Sequence, residues 1–136
     1  MTKNELIWLS GFVDGEGYLT LYPRKRGRKG KREGFTKLIS ITNTHKPTMI
    51  KIAKLLNLKL IYRKSNNPNH RDSWMIRFHS KKVDYFLIKA IPYLITKKEQ
   101  AKLLLHVSLY GMGTTSEQRK EQRRISDKLK YLHHND

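Results

Sequence analysis

The sequence predicts an α+β fold in the order αββαββα, with additional helices after it and a four-stranded antiparallel sheet at its centre. Three observations predict it. Apolar residues recur at helical spacing in several stretches, the stretches between them alternate at every second residue, and Gly- or Asn/Pro-rich turns separate adjacent alternating runs. Two hairpins divided by a helix form one sheet, with helices on one face and the other face open. At 136 residues the chain has the length of a single domain, expected to span 1–136.

Thr2-Lys3-Asn4-Glu5 reads as a capping box that starts a helix over Leu6–Val13. Leu6, Leu9 and Val13 line one side and Trp8 and Phe12 widen the apolar surface, so this helix needs neighbours on two sides. Asp14-Gly15-Glu16-Gly17 ends it. Tyr18–Arg26 alternates as a strand, with Tyr18, Thr20, Tyr22 and Arg24 on one face and Leu19 and Leu21 on the other. A basic, Gly-rich loop over residues 27–34 leads to a second strand, Phe35–Asn43. Pro47 sits in the first turn of a helix that runs from Lys46 to about Leu56. Strands follow at Leu58–Lys64 and Ser73–His79, joined through Asn66-Asn67-Pro68-Asn69. Val83–Ile91 is helical until Pro92, Thr96–Tyr110 is helical until Gly111-Met112-Gly113, and Ser116–His133 forms a last, polar helix.

Charge narrows the function. Lys and Arg number 29 against 11 Asp and Glu, a formal net charge of +18. Such self-repulsion disfavours a compact chain and points to a polyanionic partner. The basic residues run through the whole chain rather than along one amphipathic segment, which favours nucleic acid over a membrane surface. With no cysteine, disulfides and thiolate metal sites are excluded. No apolar run reaches spanning length and the N-terminus lacks a signal pattern, so a soluble, intracellular protein is expected, its host undetermined. The histidines show no ligand spacing, and Trp8 and Trp74 are expected in the core.

The informative stretch is Leu9-Ser10-Gly11-Phe12-Val13-Asp14-Gly15-Glu16-Gly17. Gly11 and Gly15 are one turn apart and allow another backbone to approach closely. Immediately afterwards the chain presents Glu16 between two glycines. Two such helices packed about a two-fold axis would bring two carboxylates together, which costs several kcal/mol (on the order of 3–5) unless a cation compensates. Oxygen ligands favour Mg²⁺ over zinc.

This nonapeptide resembles the LAGLIDADG motif of homing endonucleases, with Ser10 and Glu16 as ordinary variations. Length, element order and the Pro92–Ala101 stretch agree with the single-motif branch over roughly the first 110 residues. The resemblance implies an αββαββα homing-endonuclease fold acting as a homodimer on a pseudo-palindromic double-stranded DNA site. It implies cutting by metal-dependent phosphodiester hydrolysis with short 3′ overhangs, and a gene carried in an intron or other mobile element. Mg²⁺ is the implied cofactor, Ca²⁺ is expected to support binding without cleavage, and no small-molecule cofactor or membrane is implied.

Residue by residue, the resemblance makes Glu16 the metal carboxylate and gives the Gly15 carbonyl a share in the coordination. Asn43 takes a water-organising position where Gln is familiar. Lys97, ahead of Gln100-Ala101, takes the place of the lysine that assists the chemistry, with Lys98 as the near alternative. The dimer interface is expected to use Leu9, Gly11, Phe12, Asp14 and Gly15, with Asp14 structural rather than catalytic. DNA is expected on the open sheet face through Tyr18, Thr20, Tyr22, Arg24 and Arg26, with Lys37 and Arg77 from other strands and either Lys64 or Arg63 from the third. Arg28, Lys29, Lys31 and Arg32 on the loop would hold phosphates or outer bases. The alternative is a binding protein without nuclease activity, such as an intron RNA maturase on the same scaffold.

Overall fold

A computed structural model describes residues 1–26, 32–107 and 116–135, with the side chains of 24–26, 32, 33 and 135 outside that description. The elements are α1 (Lys3–Glu16), β1 (Gly17–Arg26), β2 (Arg32–Asn43), α2 (Lys46–Leu56), β3 (Ile61–Arg63), β4 (Ser73–His79), α3 (Lys81–Ala90), a 3-10 turn at Ile91–Tyr93, α4 (Lys98–His106) and α5 (Ser116–Asn135). The αββαββα order and the antiparallel sheet are as expected, with strand order β1-β2-β4-β3. No helix among the described residues is long and apolar enough to cross a membrane.

The capping box forms. Thr2 accepts the Glu5 N–H and the Glu5 carboxylate accepts the Thr2 N–H, so α1 starts where the sequence says it should. At the other end Gly17 is sterically required: a Cβ there would lie 2.6 Å from the Val13 carbonyl oxygen. The helix therefore turns straight into β1 without a loop.

The third strand is shorter than expected, and the reason is local. Asn57 ends α2 in the left-handed conformation, and the Leu58 N–H donates back to the Ala53 carbonyl. Leu58 and Leu60 then pack against the core before pairing begins at Ile61. Beyond β3, the Asp72 carboxylate accepts from the Tyr62 hydroxyl and the Ser65 N–H; these bonds, the hydroxyl's first, hold it below the usual aspartate range.

Helices cover one face of the sheet. Leu19 and Leu21 of β1, Phe35, Ile39 and Ile41 of β2, and Ile76 and Phe78 of β4 meet Leu9, Val13, Met49, Ile52, Phe86 and Leu87 in one core. Ile125 and Leu129 bring α5 into the same core. Its Ser126 hydroxyl donates to the Leu21 carbonyl of edge strand β1 at 2.7 Å, which closes an edge that would otherwise be open to pairing.

One residue reverses its expected face. Lys37 stands opposite Leu21 in register and in phase with Phe35, Ile39 and Ile41, on the helix side. It is 1% exposed and its ammonium pairs with Asp84 of α3 at 2.6 Å. A buried ammonium requires such a partner, so Lys37 ties β2 to α3 and does not face DNA. Trp8, expected in the core, is instead 40% exposed, with Lys51 over its ring.

Candidate active site and nucleic-acid interface

Glu16, Gly15 and Lys97 gather where α1 ends. Glu16 is the last residue of α1 and is exposed, so its carboxylate stands at the negative end of the helix dipole, and α1 has no basic residue of its own in that turn. A cation from elsewhere is favoured there, and Lys97 supplies one. Its ammonium donates to the Asp14 carbonyl at 2.6 Å, two residues from Glu16. Of the two lysines weighed from sequence, Lys97 is the one this contact brings to the motif, across 83 residues of chain.

Asp14 answers from the other side. Its carboxylate accepts the Thr96 N–H at 3.0 Å and the Lys97 N–H at 2.8 Å, so it is engaged within its own chain. Partial burial, the largest single influence, pushes this carboxyl up. The backbone N–H groups of Lys97, Thr96 and Ile95 and the Lys97 charge together outweigh it and hold Asp14 below the usual aspartate value. Asn43 ends β2 as expected, but its side-chain oxygen accepts the His45 N–H at 2.8 Å and is thereby committed to the turn into α2. Gly15 is exposed, with its backbone uncovered beside Glu16. Among the described residues no three His, Cys, Asp or Glu side chains gather as a metal cluster.

Among the described residues, nothing covers the glycine face of α1. Cβ atoms built on Gly11 and Gly15 would meet nothing within 4 Å, and Ile7, one turn before Gly11, is 40% exposed. Leu9 belongs to the opposite side. It is wholly buried in the chain's own core, which removes it from the expected interface, while Phe12 is half-buried with its ring against Trp8. Ile7 and Trp8, each 40% exposed, share the phase of Gly11 and Gly15, a grouping that sequence reasoning did not single out. Ile95, just before the Asp14-bound segment, is 86% exposed at the same end of the helix.

The open face of the sheet carries the expected row from β1. Tyr18 is half exposed, Tyr22 is partly exposed, and Thr20 shows only 7% of its surface between them. Backbone alternation keeps Arg24 and Arg26 in the same phase, and Arg32 pairs with Arg26. Arg28, Lys29 and Lys31 lie outside the described residues. Arg77 is exposed opposite Ser40, on the expected face. Register settles the third strand: Ile61 and Arg63 face out with Met75 and Ser73, and Arg63 reaches the Met75 sulfur at 3.8 Å. Lys64 lies past the strand's end, in phase with Tyr62, so Arg63 replaces it on this face. His79, edge-on to Tyr22, was not foreseen. Burial and then the neighbouring Arg77 charge lower its pKa, so it enters the face as a neutral imidazole at neutral pH.

Comparison with known proteins places the chain by family and by fold. The family model described as LAGLIDADG endonuclease matches residues 9–107. The homing endonuclease I-CvuI, in complex with the I-CreI target in the presence of Mg with the DNA not cleaved, superposes with a TM-score of 0.76 at 23% identity, covering 96% of this chain and 82% of its own. The same endonuclease in complex with its own target in the presence of Ca gives 0.78 at 22% identity, over 95% and 82% of the two chains. The archaeal intron-encoded homing endonuclease I-Vdi141I, complexed with DNA, gives 0.75 at 17% identity, over 95% and 84%. At these identities the likeness establishes the fold. No curated protein matches the chain by sequence.

Proposed function

The chain belongs to the LAGLIDADG endonuclease family, and from that premise we propose that it is a sequence-specific homing endonuclease working as a homodimer. Residues 1–136 act as one domain, and two copies make a double-strand break in a long pseudo-palindromic DNA site by Mg²⁺-dependent phosphodiester hydrolysis. One observation carries the reading: an exposed Glu16 at the negative end of a helix whose glycine face no described residue of its own chain covers. Packing two α1 helices through Ile7, Trp8, Gly11 and Gly15 about a two-fold axis buries that face and brings both Glu16 carboxylates to the scissile region.

The donor set suits a hard cation. Mg²⁺ is ordinarily held by one or two carboxylates together with waters and substrate phosphates, and each chain offers one carboxylate, Glu16, and the Gly15 carbonyl. When bound there, the metal would supply Lewis-acid stabilisation and a water of lowered pKa. The remaining work falls to the chain itself. Lys97 holds a positive charge beside the reacting phosphate, where negative charge grows in the transition state. Asn43, its oxygen already committed, offers its amide N–H groups to water near the strand's end.

The open face reads the duplex. Tyr18, Thr20, Tyr22, Arg63 and Arg77 meet the groove, and the positive charges of Arg24, Arg26, Arg28, Lys29, Lys31 and Arg32 serve phosphates and outer bases. The net charge of +18 supplies salt-sensitive affinity that is blind to sequence.

The test is cleavage of a randomised plasmid library with Mg²⁺, repeated with Glu16→Gln and with Ca²⁺ in place of Mg²⁺. Wild type should cut, the variant should bind without cutting, and Ca²⁺ should support binding alone. Normal cutting by Glu16→Gln would remove Glu16 from the chemistry. Tight binding without any cutting by wild type would favour the non-cleaving reading, an intron RNA maturase among them.

A further inference from the structure

The end of α1 has no basic residue in its last turn, and the start of α4 has no side-chain cap of its own. Lys97 is the N-cap of α4, a position usually held by a side chain that can accept a hydrogen bond, and a lysine cannot. The two deficits answer each other. The Asp14 carboxylate accepts the Thr96 and Lys97 N–H groups at the start of α4, while the Lys97 ammonium donates to the Asp14 carbonyl at the end of α1. Lys97 still opens its own helix, since its carbonyl accepts the Ala101 N–H at 2.9 Å.

We propose that Asp14 is a positioning residue: by gripping the backbone of Thr96 and Lys97 it sets where the Lys97 ammonium stands relative to Glu16. The inference rests on the endonuclease reading for its consequence, but the grip itself does not. Backbone and side chain of Lys97 are both tied to one residue, so the ammonium cannot drift from α1 without breaking a bond at one end or the other. An ammonium has three donors and only one is used on Asp14, which leaves two for a substrate phosphate. Asp14 and Glu16 are two residues apart on the same final turn, so whatever places α1 places both the Glu16 carboxylate and, through Asp14, the Lys97 ammonium.

The chain Asp14 → Lys97 → transition state makes a specific demand on mutants. Asp14→Ala should slow single-turnover cleavage of the duplex recovered from the library by about 100-fold, the scale of a misplaced catalytic group. Ca²⁺-supported affinity for the same duplex should stay within a factor of about three. In a Lys97→Ala background, Asp14→Ala should add nothing further, and Asp14→Asn, which keeps one acceptor oxygen, should fall between. Equal slowing in both backgrounds, or affinity lost in step with rate, would overturn the positioning role in favour of plain structural support. A second readout needs no activity: amide hydrogen exchange at Thr96 and Lys97 should quicken about tenfold in Asp14→Ala, the effect of one lost hydrogen bond. Unchanged exchange overturns the grip. Should wild type fail to cut at all, the endonuclease reading has failed, and exchange alone decides whether Asp14 holds Lys97.

Discussion

Gly11→Ala separates the two lives of α1 because its effects on the single chain and on the pair have opposite signs. In the chain alone, the added methyl meets nothing within 4 Å. Replacing glycine by alanine inside an exposed helix then stabilises it by about 1 kcal/mol, through lost backbone freedom in the unfolded state. For a chain of this size that raises Tm by on the order of 4 °C. In the proposed dimer the same methyl intrudes between two backbones that approach only because neither carries a side chain. Association should weaken, and cleavage should fall with it. The assay is thermal unfolding over a range of protein concentrations, alongside native mass measurement. Wild type should show a Tm that climbs with concentration as the dimer forms, whereas Gly11→Ala should show a flat, higher value at the dilute end. Gly17→Ala is the control of opposite design: its methyl would lie 2.6 Å from a backbone oxygen, so it should destabilise the single chain at every concentration. A Gly11→Ala protein that remains dimeric and fully active would show that the bare face of α1 is not the contact surface.

Three further outcomes follow from the geometry. Asp84→Asn strands the Lys37 ammonium inside the protein and should cost roughly 2 kcal/mol in urea unfolding, less than a fully buried pair because Asp84 still reaches water, whereas Lys37→Met should be near neutral. Arg77→Ala, from the open face, should weaken binding to the selected duplex by about 1–3 kcal/mol and relax base preference, while Lys37→Met should leave affinity and its salt dependence unchanged. Acid should release the Asp14 grip: because the folded pKa is depressed, its stabilisation is complete above the ordinary aspartate value and lost as pH falls through the folded one, below about pH 4. Unfolding curves measured across that range should differ between wild type and Asp14→Asn at the upper end and converge at the lower. Parallel curves would remove Asp14 from acid sensitivity.

Much of this was legible without coordinates. The capping box announced the start of α1 and Pro47 the start of α2, since both are local chemistry that the neighbouring residues decide among themselves. Alternation after Glu16 separated Tyr18, Thr20 and Tyr22 from Leu19 and Leu21 for the same reason. Lys37 was misplaced even though its phase with Phe35, Ile39 and Ile41 was readable; its charge outweighed its position. Leu9 and Ile7 show a real limit of pattern: a helix apolar on two sides does not say which side its own chain will cover.

By itself the sequence determined the strongly positive charge of the chain, the helix starts marked by Thr2 and Pro47, the phase of β1 and the residue type at the end of α1. Only the tertiary structure decided that Arg63 rather than Lys64 joins Arg77, because strand register depends on where pairing starts, and α2's left-handed cap delays it. Only the tertiary structure brought Lys97 to Asp14, across 83 residues. The end of α1 and the start of α4 supply one another with partners for backbone groups, and such a pairing carries no mark in the sequence until the chain folds.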